Sequence, residues 1–439
     1  MITDKHKELA QWAMEQALKN GCQASRVSLH NGSHSDIEIR DHQIDRLQQA
    51  SENALGLHIF VDGRFGAFST NRLDKKELEK FIKDNIEGTR FLAEDKARTL
   101  PDASLYYQGK GADLQLMDPD FDQVNPDTKV ELAMQTCDEM LGKNDRVISA
   151  SASYSDEQSY KYMVASNGFE GESCSSSFSL FGSVSIKGDG DARPEAYWYD
   201  SALYFNDLTK QGIGAKALER AVRKLGQQNT RSGKYQMVVD NLNAAQLLGP
   251  VVEALYGNAI QQKNSFLLDK LDQQVLGKNV TLRDEPHQPK SVGARYFDNE
   301  GVATRPMPIF ESGVLKSYFI DTYAANKMQV KQTISSPSIL TSALGSKDTE
   351  GLIAQVNKGI LVTGFNGGNC NSTTGDFSYG VEGFLIENGQ LKQPISEMNV
   401  TGNMIKLWNQ LVEAGNDPRK NSSWRIPGLL FEGIDFSGL

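Results

Sequence analysis

One order of elements recurs in this chain and limits what it can fold into. A helix, a run of alternating strands and a closing helix are met twice before residue 227. The first helix is expected from about Lys5 to Asn20, where Leu9, Trp12, Ala13 and Ala17 share a face and Gly21 can end it. Alternation follows in Arg26 to His30 and Asp36 to Arg40, with Asn31-Gly32 between them as a two-residue hairpin signal. Ala54 to Val61 and Phe65 to Ser69 flank a second such signal, Asp62-Gly63. Asp74, with Glu77 three residues on, opens the next helix, whose inward face is Leu78, Phe81, Ile82 and Ile86.

In the second round Asp127 is the expected cap of a helix facing inward with Val130, Met134, Cys137 and Leu141. Strands are expected from Arg146 to Tyr154, Tyr160 to Ala165, Ser175 to Ile186 and Ala196 to Phe205, with Asn167-Gly168 as a turn. A helix from about Asp207 to Leu225 closes the round. The two rounds share a pattern rather than residues, which suggests an internal duplication with repeats 1–95 and 125–226. Lys96 to Val124, polar and proline-bearing, reads as a connector.

From Lys234 the pattern changes. Lys234 to Val239 reads as a buried strand and Leu242 to Ala259 as a helix. Beyond Val275 strands and turns dominate, with helices near Thr322 to Met328 and Met404 to Glu413. Segregated strands and helices favour α+β over a doubly wound parallel sheet. The expected organisation is an N-terminal α+β domain, 1–231, of antiparallel meanders flanked by helices, and a β-rich C-terminal domain, 232–439.

Charge narrows the function classes. Among 439 residues, 46 Lys and Arg stand against 56 Asp and Glu, a net charge of −10. Phosphate binding needs clustered positive charge, so direct nucleic-acid binding is not expected. The four cysteines are widely spaced, which suggests a reducing compartment. Met1 to His6 lacks an apolar leader, and Leu55 to Val61 is too short to span a bilayer. The expected location is cytoplasmic, without a membrane partner.

No complete catalytic set emerges from the residues. Five of the six histidines precede residue 59, and His30 and His34 flank the expected turn instead of sharing a helix face. His287, in Glu285-Pro286-His287-Gln288-Pro289, reads as exposed. Cys370, in Gly367-Gly368-Asn369-Cys370-Asn371, is the best cysteine candidate but has no identifiable base. Gly375-Asp376-Phe377-Ser378-Tyr379-Gly380 is no phosphate loop, since no Gly-Lys-Ser/Thr follows.

An ordered set of motifs nevertheless points to a family. It comprises Leu247-Leu248-Gly249-Pro250-Val251-Val252-Glu253-Ala254, Lys263 to Asp269, Phe297-Asp298-Asn299-Glu300-Gly301-Val302 and Ser312 to Leu315. It continues with Thr374 to Gly380, Gly383 to Gly389, Pro394 to Glu397 and Gly402-Asn403. In order and spacing the set resembles the TldD/PmbA family, also called the modulator of DNA gyrase family. That resemblance implies a zinc metalloprotease of two related subunits. The TldD-type subunit carries a helical His-Glu-x-x-x-His motif and a further cysteine ligand near its C-terminus. Here the three motif positions hold Gly249, Pro250 and Ala254, and Trp424 to Leu439 contains no cysteine.

The chain therefore resembles the PmbA (TldE)-type, non-catalytic subunit. It is expected to bind no zinc itself, to pair with a zinc-bearing TldD-like subunit, and to support cleavage of unfolded or small modified peptides. A homodimer is open when it is alone. Gly375, Asp376, Ser378, Tyr379 and Gly380 are the candidate loop at the cleft facing substrate or partner. The alternatives are a regulatory protein acting on DNA gyrase or its inhibitors, and a stand-alone peptidase with an unrecognised site.

Overall fold

The structure is a computed structural model that describes residues 1–438. The first round is α1 (Asp4–Lys19), β1 (Ala24–Arg40), β2 (Gln43–Val61), β3 (Arg64–Thr70) and α2 (Lys75–Thr89). The second is α3 (Pro126–Asp138), β4 (Val147–Ala165), β5 (Phe169–Ile186), β6 (Glu195–Ala202) and α4 (Ile213–Arg223). All six strands join one antiparallel sheet in the order β3-β2-β1-β4-β5-β6. The seam is β1 against β4, with Val27 opposite Val164 and Ile37 opposite Tyr154. Each round thus adds a three-strand meander, one on either side of the seam.

Alternation places the helices. Val27, Leu29, Ile37 and Ile39 of β1 are buried on one face of the sheet, as a period of two requires. α1 and α2 cover one half of that face through Ala10, Ala13, Ala17, Leu78, Ile82 and Ile86. α3 and α4 cover the other half through Leu132, Ala133, Cys137, Ile213, Ala217 and Ala221. Asp74 caps α2 by accepting from the Lys76 and Glu77 amides.

Several local expectations are corrected. Asn31-Gly32 is not a turn but the middle of β1. Strands on both sides pair through it, Gly32 opposite Glu52 and Ser159, so tertiary pairing overrides the turn preference. The hairpin lies at Asp41 and His42, whose φ values are 48° and 66°. The cap of α3 is Asn125, whose side chain accepts from the Asp127 amide ahead of Pro126. α4 is shorter than expected, beginning after Gly212 in the left-handed region.

The second region begins with β7 (Gln228–Asn229), β8 (Gly233–Val239), α5 (Ala244–Glu253) and α6 (Gly257–Gln261). Then come β9 (Leu282–Asp284), β10 (Met307–Glu311), β11 (Val314–Leu315), α7 (Thr322–Met328) and β12 (Leu340–Ser342). α8 (Thr349–Ile353), β13 (Lys358–Cys370), β14 (Asp376–Glu387), β15 (Gln390–Ser396) and β16 (Met398–Asn403) follow. The region finishes with α9 (Met404–Asn409), β17 (Leu411–Ala414), β18 (Trp424–Arg425) and β19 (Leu429–Ser437). Pairing runs β13-β8-β19-β16-β14, and β14 also pairs with β13. Five strands therefore close into a ring. Its apolar side chains, among them Met237, Val362, Val400 and Phe431, share a core with Leu247, Leu248, Val251 and Val252 of α5.

The connector is mortar between the two regions. Tyr106 bridges to Val302, Leu114 packs on Ala294 and Ile339, and Tyr107 stacks on Tyr296 at 5.1 Å. Behind the sheet Arg26 donates to Nδ1 of His58 at 2.8 Å. Burial, then the Arg26 charge, pushes His58 down to about 4. Asp284 is wholly buried, and burial pushes its carboxyl up to about 6.

These two groups act oppositely with pH. His58 binds its proton less well folded than at its ordinary 6.5, so its contribution to stability grows as pH rises from about 4 to 6.5. Asp284 binds its proton better folded than at its ordinary 3.8, so its contribution shrinks as pH rises to about 6. Relative to the wild type, His58→Gln is expected to lose stability as pH rises through this window, and Asp284→Asn to gain it. Urea midpoints across the window check this; variants that track the wild type at every pH refute it.

Candidate functional site

The three motif positions lie on α5 and at its end, and the structure treats them differently. α5 runs from Ala244 to Glu253, through Pro250, and is shorter than the expected helix from Leu242 to Ala259. Pro250 withholds one amide from the helix, opposite Gln246, which is exposed. A Cβ placed on Gly249 would meet no atom within 4 Å, so this position opens onto free space. Ala254 is buried, and its carbonyl accepts from Ser265 Oγ at 2.6 Å. None of the three side chains offers a nitrogen, oxygen or sulfur donor, so these positions do not fit a zinc ion.

Gly249 and Glu253 stand four residues apart and hence on one helix face. Glu253 is exposed there, and its charge acts on Cys370 and Tyr379. The Glu253 charge thus lies within electrostatic reach of the end of the β13–β14 hairpin at Cys370 and Tyr379.

The segment from Gly375 to Gly380 is a strand entered from a turn, not the expected loop. Asp376 to Gly380 pair with Asn403 to Asn399 of β16. Only Gly375 needs glycine's freedom, with φ 79° and the Phe266 ring 3.1 Å from where a Cβ would stand. Asp376 is spent on the turn, accepting from Thr374 Oγ1 at 2.8 Å and Asn403 Nδ2 at 2.9 Å. The Asn403 bond first, then Thr374, hold its carboxyl below the usual range. Ser378 is exposed, whereas Tyr379 and Gly380 are half-buried.

Tyr379 is half-buried and packs against the core of the ring. Its ring lies 5.4 Å from Phe377 and 5.7 Å from Phe365. Burial first, with help from Cys370 and Glu253, pushes its phenol up to about 12. At neutral pH it is a neutral hydroxyl, able to donate to a peptide carbonyl.

The structure also places the other candidates. Burial, then Asp376 and Glu253, push Cys370 up to about 11, so it is a protonated thiol and a poor nucleophile. Gly367 and Gly368, read as part of a loop, form a bulge in β13, with φ 65° and 85°. A Cβ on Gly368 would sit 2.0 Å from the Ser378 carbonyl. His30 and His34 lie on β1 at the sheet centre. His287 is half-buried, not exposed: its Nε2 is 3.0 Å from Thr304 Oγ1 and its ring packs 4.8 Å from Tyr296. Sequence reasoning missed Glu253; its spacing of four from Gly249 was the available signal. Among the described residues no group of three His, Cys, Asp or Glu could hold a metal ion. None of their helices is long and apolar enough to cross a membrane.

Comparison with known proteins agrees along nearly the whole length. The PmbA/TldA metallopeptidase domain 1 matches residues 26–88, the central domain 119–225 and the C-terminal domain 232–438. Metalloprotease PmbA of Escherichia coli O157:H7 is 26% identical, over 94% of this chain and 92% of that protein. A crystal structure from Bacteroides thetaiotaomicron, described as a candidate modulator of DNA gyrase, is 60% identical. It superposes with a TM-score of 0.99, covering 100% of both chains. TldE from Thermococcus kodakarensis, at 17% identity, shares the fold with a TM-score of 0.86, over 98% of this chain and 100% of that one.

Proposed function

The chain belongs to the PmbA/TldA metallopeptidase family, and on that premise we propose that it is the non-catalytic, PmbA/TldE-type subunit of a two-component zinc peptidase. One observation carries the reading. α5, on which the family resemblance places the metal motif of the TldD-type subunit, is a helix packed in the ring's core, and the motif positions hold Gly249, Pro250 and, just past its end, Ala254. A helix kept without its ligands supports a role in shape rather than in chemistry. The zinc then belongs to a TldD-like partner.

What this chain supplies is a wall of the cleft. Tyr379 offers a hydroxyl donor, Glu253 a negative charge, and the aromatic pair Phe365 and Phe377 an apolar backing. Asp376 is a positioning residue that locks the turn through Thr374 and Asn403. An extended peptide bound along this hairpin would find exposed strand and polar side chains together. A second reading, a regulatory protein acting on DNA gyrase, draws on the description of the 60% identical Bacteroides thetaiotaomicron protein.

The test is reconstitution. A TldD-like chain from the same cell is expected to co-purify with this one. This chain alone is expected to show no stoichiometric zinc and no peptidase turnover, and the mixture to cleave unfolded peptides. One tight zinc per isolated chain, or turnover by it alone, sinks the reading. In the mixture, Tyr379→Ala together with Asp376→Ala is expected to cut the peptidase rate about tenfold or more, as loss of one transition-state or positioning contact does. Wild-type assembly, stability and rate in that variant would remove the hairpin from the site.

A further inference from the structure

The far side of the ring carries a cavity that the α5 cleft does not use. Along β8, Met237 turns into the core shared with α5, while Val238 turns the other way, into a separate apolar cluster with Leu361 of β13 and Ile353 of α8. Between that cluster and α4 of the first region lies a cavity of about 420 Å³, within the range of small-ligand sites. Its floor is apolar, formed by Ile353, Leu361, Phe384 and Leu391.

The two walls carry opposite charge and do not satisfy each other. Lys216, Arg220 and Arg223 line the cavity from α4, at spacings of four and three that put them on one helix face. Asp348 and Glu350 line it from the start of α8. Lys216 and Arg223 pair with Glu219 of their own helix, at 2.9 and 3.8 Å. Arg220 donates to the Thr363 carbonyl at 3.3 Å and lies 3.8 Å from Asp240. Among the described residues no α4 cation forms an ion pair with Asp348 or Glu350. The Arg223 guanidinium stands 5.0 Å from the Phe384 ring, which holds it over the floor. Opposite, Asp348 accepts from the Gly351 amide at 2.8 Å, and Glu350 is exposed. The remaining acid, Asp417, is spent on the Thr349 and Gly428 amides.

We propose that this cavity binds a small zwitterion with an apolar side chain, a free amino acid or a dipeptide. Its carboxylate would sit on Arg223 and Lys216, its ammonium on Glu350 and Asp348, and its side chain on Leu361, Phe384 and Leu391. A guanidinium can receive a carboxylate through two parallel N–H bonds. An anion without an ammonium would meet Glu350 and Asp348 unpaired, and a cation without a carboxylate would meet Arg223 and Lys216, so each complements one wall only. The walls belong to different regions of the chain, so a ligand spanning them links α4 to α8 and stabilises the folded protein by mass action. Leu361 turns away from α5, so the proposal stands apart from the subunit reading.

Calorimetric titration of the isolated full chain with leucine and with Leu-Leu tests it, and the two arms separate the two sources. At least one is expected to bind and to raise the melting temperature with concentration; the tighter of the two identifies the source. For that ligand the N-acetylated and the C-amidated forms are each expected to bind about tenfold or more weakly, as loss of one charged contact does. Glu350→Gln is expected to lose most of the discrimination against the acetylated form and to keep that against the amide. Arg223→Gln is expected to do the reverse. Both side chains are exposed, so both variants should fold. Three results would each overturn the proposal: neither leucine nor Leu-Leu binding at millimolar concentration, capped forms binding as tightly as the free one, or either variant keeping the discrimination it should lose.

Discussion

Gly383→Ala is expected to lower stability by about 3–5 kcal/mol, among the largest losses a single methyl can cause. Gly383 sits on β14 opposite Val362 of β13. A Cβ there would lie 1.8 Å from the Leu361 carbonyl oxygen and 2.9 Å from its carbon. Those are backbone atoms of the paired strand, so no side chain can swing aside. The two strands must part where the ring closes. Calorimetry should show a melting temperature lower by roughly 10 °C. Gly249→Ala is the internal control. It lies mid-helix with free space around it, so alanine should stabilise by about 0.5–1 kcal/mol. Equal effects at the two positions would refute the packing argument.

A comparable loss is expected at Lys129. Its Nζ lies 2.5 Å from Asp156 Oδ2, with side-chain exposures of 10% and 1%, and it also donates to Ser35 at 3.2 Å. Tyr154 donates to the same carboxylate at 2.8 Å. The pair ties α3 across the seam between β1 and β4. Lys129→Met strands a buried carboxylate, at a cost of about 3–5 kcal/mol. Lys129→Met with Asp156→Asn removes both charges and keeps an acceptor for Tyr154, so most of the loss should return. Denaturant melts of the two variants decide; a double variant as unstable as the single one would show that the charge is not the cause.

The sequence was legible where one local rule acted alone. The faces of α1 and α2, the cap at Asp74 and the turns at Asp62-Gly63 and Asn167-Gly168 follow from spacing and side-chain chemistry, and they stand. The α+β class stands too. Legibility failed where distant strands outvoted a local preference. Asn31-Gly32 prefers a turn, but β2 and β4 on either side hold it extended. Asp41 and His42 carry no glycine, so the actual hairpin gave little signal. At the site, the residues Gly249, Pro250 and Ala254, which offer no metal donor, were visible at once. The nearness of the Glu253 charge to Tyr379 was not, because it depends on how a helix and a hairpin more than a hundred residues apart pack. Gly375 to Gly380 looked like a loop because its glycines serve close backbone approach as well as turning, at Gly380 against the Asn366 carbonyl.

The closure of the five-strand ring sets an order on how the chain can be made. β19 lies between β8 and β16, yet it is separated from β8 by nearly the whole length of that region. While a ribosome is still producing the residues between them, β8 has no antiparallel neighbour and α5 has no finished core to cover it. The six-stranded sheet has no such delay within each round, since its hairpins pair strands adjacent in sequence. The first region can therefore settle early, while the second waits with apolar surface uncovered, which is the interval in which a chaperone would be needed.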